Sequence, residues 1–274
     1  MKSPQIAINS VSTAAAPLPE LLRAFSDAGF RNVEFRMPQV KEWMQAGNSI
    51  GDVRALLAAC KLRSIGGFER EVMAFADEEK RLANEKVHIE NANIVSELGG
   101  GVLVVGTDTP PEKSIAALHV IGKTLAALAD RFPANVSIAL EFNWSGIVKS
   151  IASASAVISA ADHPRVGMLF DPAHYHCTPS KFEHLTPRVV EKILHVHVDD
   201  MADKPGDLSN CNSDRLLPGE GILDLPAIIG RIEEYGYRGF FSIEMFNEQL
   251  WALPAAEGAR RCYDSMEKLC NRTK

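Results

Sequence analysis

Short apolar, β-branched runs alternate along the chain with longer stretches whose apolar positions recur at helical spacing. The short runs are Gln5–Asn9, Asn32–Arg36, Leu62–Gly66, Val102–Gly106, Val136–Glu141, Val166–Asp171, Ile193–Val198 and Phe240–Glu244. Helices are predicted between them at Leu18–Ala28, Ile50–Cys60, Asp77–Leu98, Pro111–Arg131, Lys149–Ala161, Leu225–Glu234 and Ala255–Leu269, with a weaker segment at Lys181–Glu191. Glycines punctuate the boundaries: Gly29 after the first helix, Gly99–Gly101 after the third, Gly236 before the last strand.

Eight strand-like runs, each followed by a helix or a long connection, predict a parallel sheet of βα units closed as a (β/α)8 TIM barrel. No linker or low-complexity run divides the 274 residues, so one domain over 1–274 is expected. A doubly wound nucleotide-binding sheet fits less well. Its phosphate loop would follow the first strand, which here runs into Ser10-Val11-Ser12-Thr13-Ala14-Ala15-Ala16 with no glycine. The glycines at 99–101 precede a strand and serve a turn.

Chemistry in such a barrel sits at the C-terminal ends of the strands, above layers of branched apolar side chains. The fifth to eighth runs each close on a carboxylate or imidazole: Leu-Glu141-Phe, Phe-Asp171-Pro, His-Val-His197-Val and Ile-Glu244-Met. Any one of these could be a helix cap or a core histidine. Together they bring three carboxylates into one small mouth, where they repel unless a cation is present. Three oxygens and one imidazole suit a divalent ion such as Mn²⁺, Co²⁺ or Zn²⁺, with Glu141, Asp171, His197 and Glu244 as its ligands. His195 shares a strand face with His197 one layer deeper, which favours a supporting role. His174, just past the sixth strand, is placed to reach a substrate hydroxyl, unless it is a loop-surface histidine like His176. Arg215 lies in the long connection from Asp199 to Asp224, where it either neutralises an anionic substrate or enolate or is a solvated loop arginine. The aromatics Phe68, Trp144, Phe246 and Trp251 follow strand ends and either wall the pocket or pack loops.

Composition narrows the partners. The 29 basic and 35 acidic side chains leave a net charge of −6, which disfavours nucleic acid or an anionic membrane surface. No run is apolar enough to span a bilayer, and the first residues lack the apolar core of a signal peptide. Five scattered cysteines, none in a Cys-x-x-Cys pair, read as free thiols of a reducing compartment, so a cytoplasmic protein is expected. Self-association into a homo-oligomer is left open.

These motifs resemble the xylose-isomerase-like barrels, the sugar phosphate isomerases/epimerases, and within them most nearly the inosose (2-keto-myo-inositol) isomerases. The likeness rests on Leu-Glu141-Phe, Phe-Asp171-Pro-Ala-His174, His-Val-His197-Val-Asp-Asp, Asp-Arg215-Leu-Leu-Pro-Gly-Glu-Gly and Ser-Ile-Glu244-Met-Phe-Asn. It is specific in the second half and covers the first mainly through strand order and Val-Glu34-Phe-Arg36. It implies one divalent ion held by Glu141, Asp171, His197 and Glu244, with the two glutamates doubling as acid and base. It implies too that His174 and Arg215 contact a small sugar or cyclitol substrate. The expected reaction is isomerisation or epimerisation of a hydroxy-ketone through a cis-enediolate.

An inosose-type dehydratase would use the same metal site and loses hydroxide after the same proton abstraction. The dehydroshikimate dehydratases of this fold carry Gln where this chain has His197, which counts against that activity. An endonuclease IV-type nuclease would need further histidines after strands two to four and a basic face, but His88 and His119 fall inside predicted helices. Binuclear amidohydrolases carry His-x-His on the first strand, not the seventh. A non-catalytic polyol-binding barrel is the remaining alternative.

Overall fold

A computed structural model describes residues 1–144 and 146–272. Eight parallel strands close on themselves: β1 (Ile6–Asn9), β2 (Asn32–Arg36), β3 (Arg63–Phe68), β4 (Val102–Val105), β5 (Ser137–Glu141), β6 (Val166–Phe170), β7 (Ile193–Val198) and, completing the ring, β10 (Phe241–Ile243). Two short strands, β8 (Asp200–Met201) and β9 (Arg215–Leu216), pair antiparallel inside the long connection after β7. The protein is a (β/α)8 TIM barrel.

The outer helices are α1 (Leu18–Ala28), α2 (Met37–Gln45), α3 (Ile50–Ala59), α4 (Glu78–Glu97), α5 (Ile115–Asp130), α6 (Ile151–Ala161), α7 (Pro172–Cys177), α8 (Pro187–Val190), α9 (Leu225–Glu234), α10 (Glu248–Trp251) and α11 (Ala255–Arg272). Their amphipathic spacing explains their docking. In α1, Leu18, Leu21, Leu22, Phe25 and Ala28 form one buried stripe. Ser49 and Asp52 make a reciprocal capping box that starts α3. Gly29 ends α1 at φ +122°, and a Cβ there would meet the Tyr263 ring at 2.6 Å, so both backbone and space require glycine.

Three features differ from the sequence reading. Helix α2 starts directly at the end of β2, with Pro38 in its first turn, where a missing N–H costs nothing; no helix was expected there. Lys181–Glu191 is not one helix but a 3₁₀ turn at Phe182–His184 followed by α8, because Pro187 restarts the chain at a Thr186 cap. The barrel lumen, finally, is not uniformly apolar. Side chains alternate across a strand, so the pairings Asn9–Glu34, Phe68–Val104, Val104–Ala139, Leu169–His195 and Ser242–His197 mark one inward-facing row. Val104, Ala139 and Leu169 fill one side with apolar atoms. Asn9, Glu34, His195, His197 and Ser242 fill the other with buried polar ones.

Candidate metal centre and active site

The same alternation carries the predicted residues to the mouth. Glu141 is two residues beyond Ala139, Asp171 two beyond Leu169, and Glu244 two beyond Ser242, so all three point inward beside His197. One potential ligand atom from each of Glu141, Asp171, His197 and Glu244 falls within 4.8 Å of the others. His197 Nδ1 lies 3.2 Å from Glu244 Oε2 and 3.4 Å from Asp171 Oδ2.

Each side chain is held from behind. Asp171 caps α7: its Oδ1 accepts the His174 N–H at 2.9 Å, which leaves Oδ2 aimed into the mouth. Glu244 Oε1 accepts from Asn9 Nδ2 at 2.9 Å, across the β1–β10 seam. His197 turns its Nε2 away from the mouth toward Glu34, whose carboxylate also takes His195 Nε2 at 3.0 Å. Glu34 was noted in sequence only as part of a strand end; its placement beneath both histidines is a finding of the structure. The alternation of β2 against β7 is the signal that would have found it. His195 takes the supporting place expected of it.

Arg215 is not a solvated loop residue. Delivered by β9, it is fully buried, and its guanidinium spans the acidic cluster. Nη1 bonds Asp199 Oδ2 at 2.8 Å and Glu244 Oε2 at 3.0 Å, Nε bonds the Cys211 carbonyl at 2.7 Å, and Nη2 lies 3.1 Å from Asp171 Oδ2. Asp199, which sequence reasoning passed over, braces α7 through the Ala173 N–H at 2.8 Å. His174 is buried with Nε2 3.5 Å from Glu141 Oε1. Unlike His176, which bonds the Lys204 carbonyl, it joins the site.

The cluster sets Glu34, Glu141, Asp171, Asp199 and Glu244 against one guanidinium. Burial alone would push the Asp171 carboxyl up, but Arg215 and His174 outweigh it and hold it far below the usual carboxylate range. Burial, then repulsion from Asp171, pushes the Asp199 carboxyl well up despite Arg215. Burial opposes charging of His197 and His174, yet Glu244 and Glu34 around the first, and Asp171 and Glu141 around the second, raise both imidazoles well above their ordinary values. The pocket thus draws positive charge to His197 Nδ1, and a divalent cation answers the same demand. Among the described residues, Asp171 Oδ2 and His197 Nδ1 are buried without a hydrogen bond, Oδ2 having only its charge contact with Arg215 Nη2, and with the Glu244 and Glu141 carboxylates they make an O₃N donor set. These residues fit a divalent metal ion.

Outside the cluster opens a cavity of about 280 Å³ lined by Phe68, Glu71, Glu141, Trp144, His174 and Phe246, among others. Trp251 does not reach it. Its Nε1 bonds the Val11 carbonyl at 2.8 Å, and its ring packs edge-on behind Phe246, so it supports a loop.

A closed parallel barrel with an acidic, histidine-bearing mouth defines a class of protein, and comparison with known proteins places the chain within it. It belongs to the xylose isomerase-like TIM barrel family, whose model matches residues 22–269. An inosose isomerase of Bacillus velezensis is 32% identical over 143 residues, 51% of this chain and 50% of that protein. The chain thus aligns with about half the length of the curated isomerases it matches. A 3-dehydroshikimate dehydratase of Pseudomonas aeruginosa is 27% identical over 270 residues, 93% of this chain and 40% of that protein. Among solved structures, the IolI protein with a bound zinc atom superposes with a TM-score of 0.88 at 22% identity, covering 98% of this chain and 99% of that one. L-ribulose 3-epimerase superposes at 0.77 with 17% identity, covering 98% and 95%. No helix among the described residues is long and apolar enough to cross a membrane.

Proposed function

We propose that the protein, read as one barrel domain, is a divalent-metal-dependent isomerase or epimerase of a hydroxy-ketone, an inosose or ketose. The observation that carries this is the convergence of Asp171 Oδ2, His197 Nδ1 and the Glu244 and Glu141 carboxylates beside a polyol-sized cavity. Glu141, Asp171, His197 and Glu244 would hold the ion, be it Mn²⁺, Co²⁺ or Zn²⁺. When bound, it supplies Lewis acidity that polarises a ketone and acidifies the neighbouring C–H.

The chain's own residues handle the protons. Glu141 faces the cavity with a partly exposed carboxylate and accepts the proton from the carbon next to the carbonyl. The C–H electron pair becomes a C=C bond and the carbonyl π pair moves to the ketone oxygen, giving a cis-enediolate. His174 Nε2, beside Glu141, passes a proton between the two enediolate oxygens. Glu244, on the other side of the mouth, delivers to carbon a proton it has taken up from solvent, and Glu141 releases its own to solvent. Return to the adjacent carbon gives the isomer; return to the opposite face of the first gives the epimer. Arg215, sealed behind the cluster with Nη2 3.1 Å from Asp171 Oδ2 and Nη1 on Glu244 Oε2, fixes those two carboxylates and sets a positive charge behind the developing oxyanion. Phe68, Trp144 and Phe246 exclude water.

The test is deuterium uptake from D₂O by a panel of inososes and ketoses with metal-loaded protein. Incorporation next to the carbonyl is expected, and Glu141→Gln or Glu244→Gln should each slow it by about 10²–10⁴-fold. A bound polyol that exchanges no proton would leave a binding protein only. The alignment to a dehydratase over most of the chain supports one second reading, in which the same abstraction expels hydroxide. Its signature is a product lighter by one water.

A further inference from the structure

The loop after β3 is built with more care than a connection needs. Three buried polar residues on one face of α4, Asn84, His88 and Asn91, reach it. Asn84 Nδ2 and His88 Nε2 both donate to the Glu71 carbonyl, at 2.9 and 3.2 Å, and Asn84 Oδ1 accepts the Met73 N–H at 3.0 Å. Asn91 and Lys41 hold the Glu69 carboxylate, which also pairs with Arg70. Val72 forms a parallel bridge with Thr107, and Asp108 takes the N–H groups of Ala74 and Phe75.

All of this fixes one side chain over the cavity. The Glu71 carboxylate has no ion pair or hydrogen bond among the described residues, although its backbone is clamped. It lies over Gly106, where even a Cβ would stand 3.2 Å from Glu71 Cγ. Burial, then the Asp108 and Glu141 carboxylates, pushes the Glu71 carboxyl up, so hydroxyl donors that share its charge are welcome there. The candidate metal ligands close the cavity from β5, β6, β7 and β10, and Glu71 lines it from the loop after β3.

Resting on the isomerase reading above, we propose that Glu71 is the specificity residue of this site: it accepts hydrogen bonds from hydroxyls at the substrate end remote from the carbonyl, and thereby selects an uncharged polyol over a sugar phosphate. A carboxylate on a clamped backbone receives two hydroxyls with charge-assisted bonds while only its own side chain has to settle on binding. It repels a phosphate. Arg70, which lines the cavity beside Glu71, is already engaged by Glu69.

The experiment compares wild type with Glu71→Gln, an exposed position where the fold is not at stake. With an inosose, KM should rise about 10- to 100-fold with kcat nearly unchanged, the mark of binding made equally in ground and transition states. An inosose lacking a hydroxyl remote from the carbonyl should lose its disadvantage in the variant. A ketopentose 5-phosphate should bind the variant more tightly than wild type, an inversion that a merely structural residue would not produce. Unchanged KM and unchanged discrimination would overturn the proposal. Calorimetric titration with myo-inositol separates this from the reaction itself. If wild type exchanges no substrate proton but binds myo-inositol at least 10-fold more tightly than Glu71→Gln, the isomerase reading fails and the Glu71 subsite stands. Equal binding by wild type and variant, or no polyol binding by wild type, overturns the subsite, while proton exchange with an inosose or ketose alone decides the isomerase reading.

Discussion

The carboxylate of Glu34 sits under His197 with both oxygens within 3.2 Å of Nε2, so the proton of that imidazole is drawn to the lumen and Nδ1 is left facing the mouth. Burial would push the Glu34 carboxyl up, but His197 and His195 outweigh it and hold it well below the usual range. A ligating histidine is oriented in this way by a carboxylate on its far nitrogen.

Replacing Glu34 with Gln leaves one acceptor oxygen for two imidazole donors. Metal affinity should fall about 10- to 100-fold, read by competition with a chromophoric chelator. Unchanged affinity would return Glu34 to a purely structural place.

Arg215 is sealed among Asp171, Asp199 and Glu244, so Arg215→Met strands buried negative charge. Urea unfolding should show a loss of about 3–5 kcal/mol. Because two of those carboxylates would be metal ligands, metal content should fall as well. Lysine will not rescue it, since a point charge cannot span the Cys211 carbonyl and three carboxylates at once.

Chelation should lower Tm and abolish proton exchange, and adding back a divalent ion should restore both, because an ion held by the converged carboxylates would bind the folded state alone. Cys177→Ser, outside the ligand set, should leave metal content unchanged. A chelated protein with full exchange would remove the metal from the reaction.

The architecture and the four-residue cluster were legible because period-two alternation and strand-end position are local properties. Glu141, Asp171, His197 and Glu244 each close an apolar run, and a barrel leaves such residues one place to go. Glu34, Asp199 and the clamp on Glu71 were not legible. Each works through a partner far away in sequence, such as His197 for Glu34 or Asn84 and His88 for the Glu71 carbonyl, and the register that joins them exists only in the closed barrel. Arg215 was placed in the right loop but not in its depth, since β8–β9 pairing buries it and the residues around it are polar.

His88 gives a pH prediction. Its Nε2 donates to Glu71, while its buried Nδ1 has no partner, so desolvation holds the imidazole below its ordinary value and the folded protein keeps it neutral. As pH falls below about 6.5, the unfolded chain gains a proton that the folded one refuses, and stability drops. His88→Asn should cost about 1 kcal/mol at pH 8 for the lost hydrogen bond and show a shallower decline toward pH 5, by urea unfolding at each pH. Parallel pH curves would contradict this.

The Asn9–Glu244 hydrogen bond joins residues at opposite ends of the chain, and Ser12 stitches the same seam through the Ile243 carbonyl and the Met245 N–H. A growing chain therefore cannot complete its acidic centre until Glu244 has been made and freed to reach Asn9. Asp171 and Asp199 emerge from the ribosome before Arg215, and the ring stays open until Phe241–Ile243 can slot between β1 and β7. The converged donor set of Glu141, Asp171, His197 and Glu244 is thus completed last and all at once, so a product truncated before β10 would hold most of the barrel's strands and an incomplete cluster.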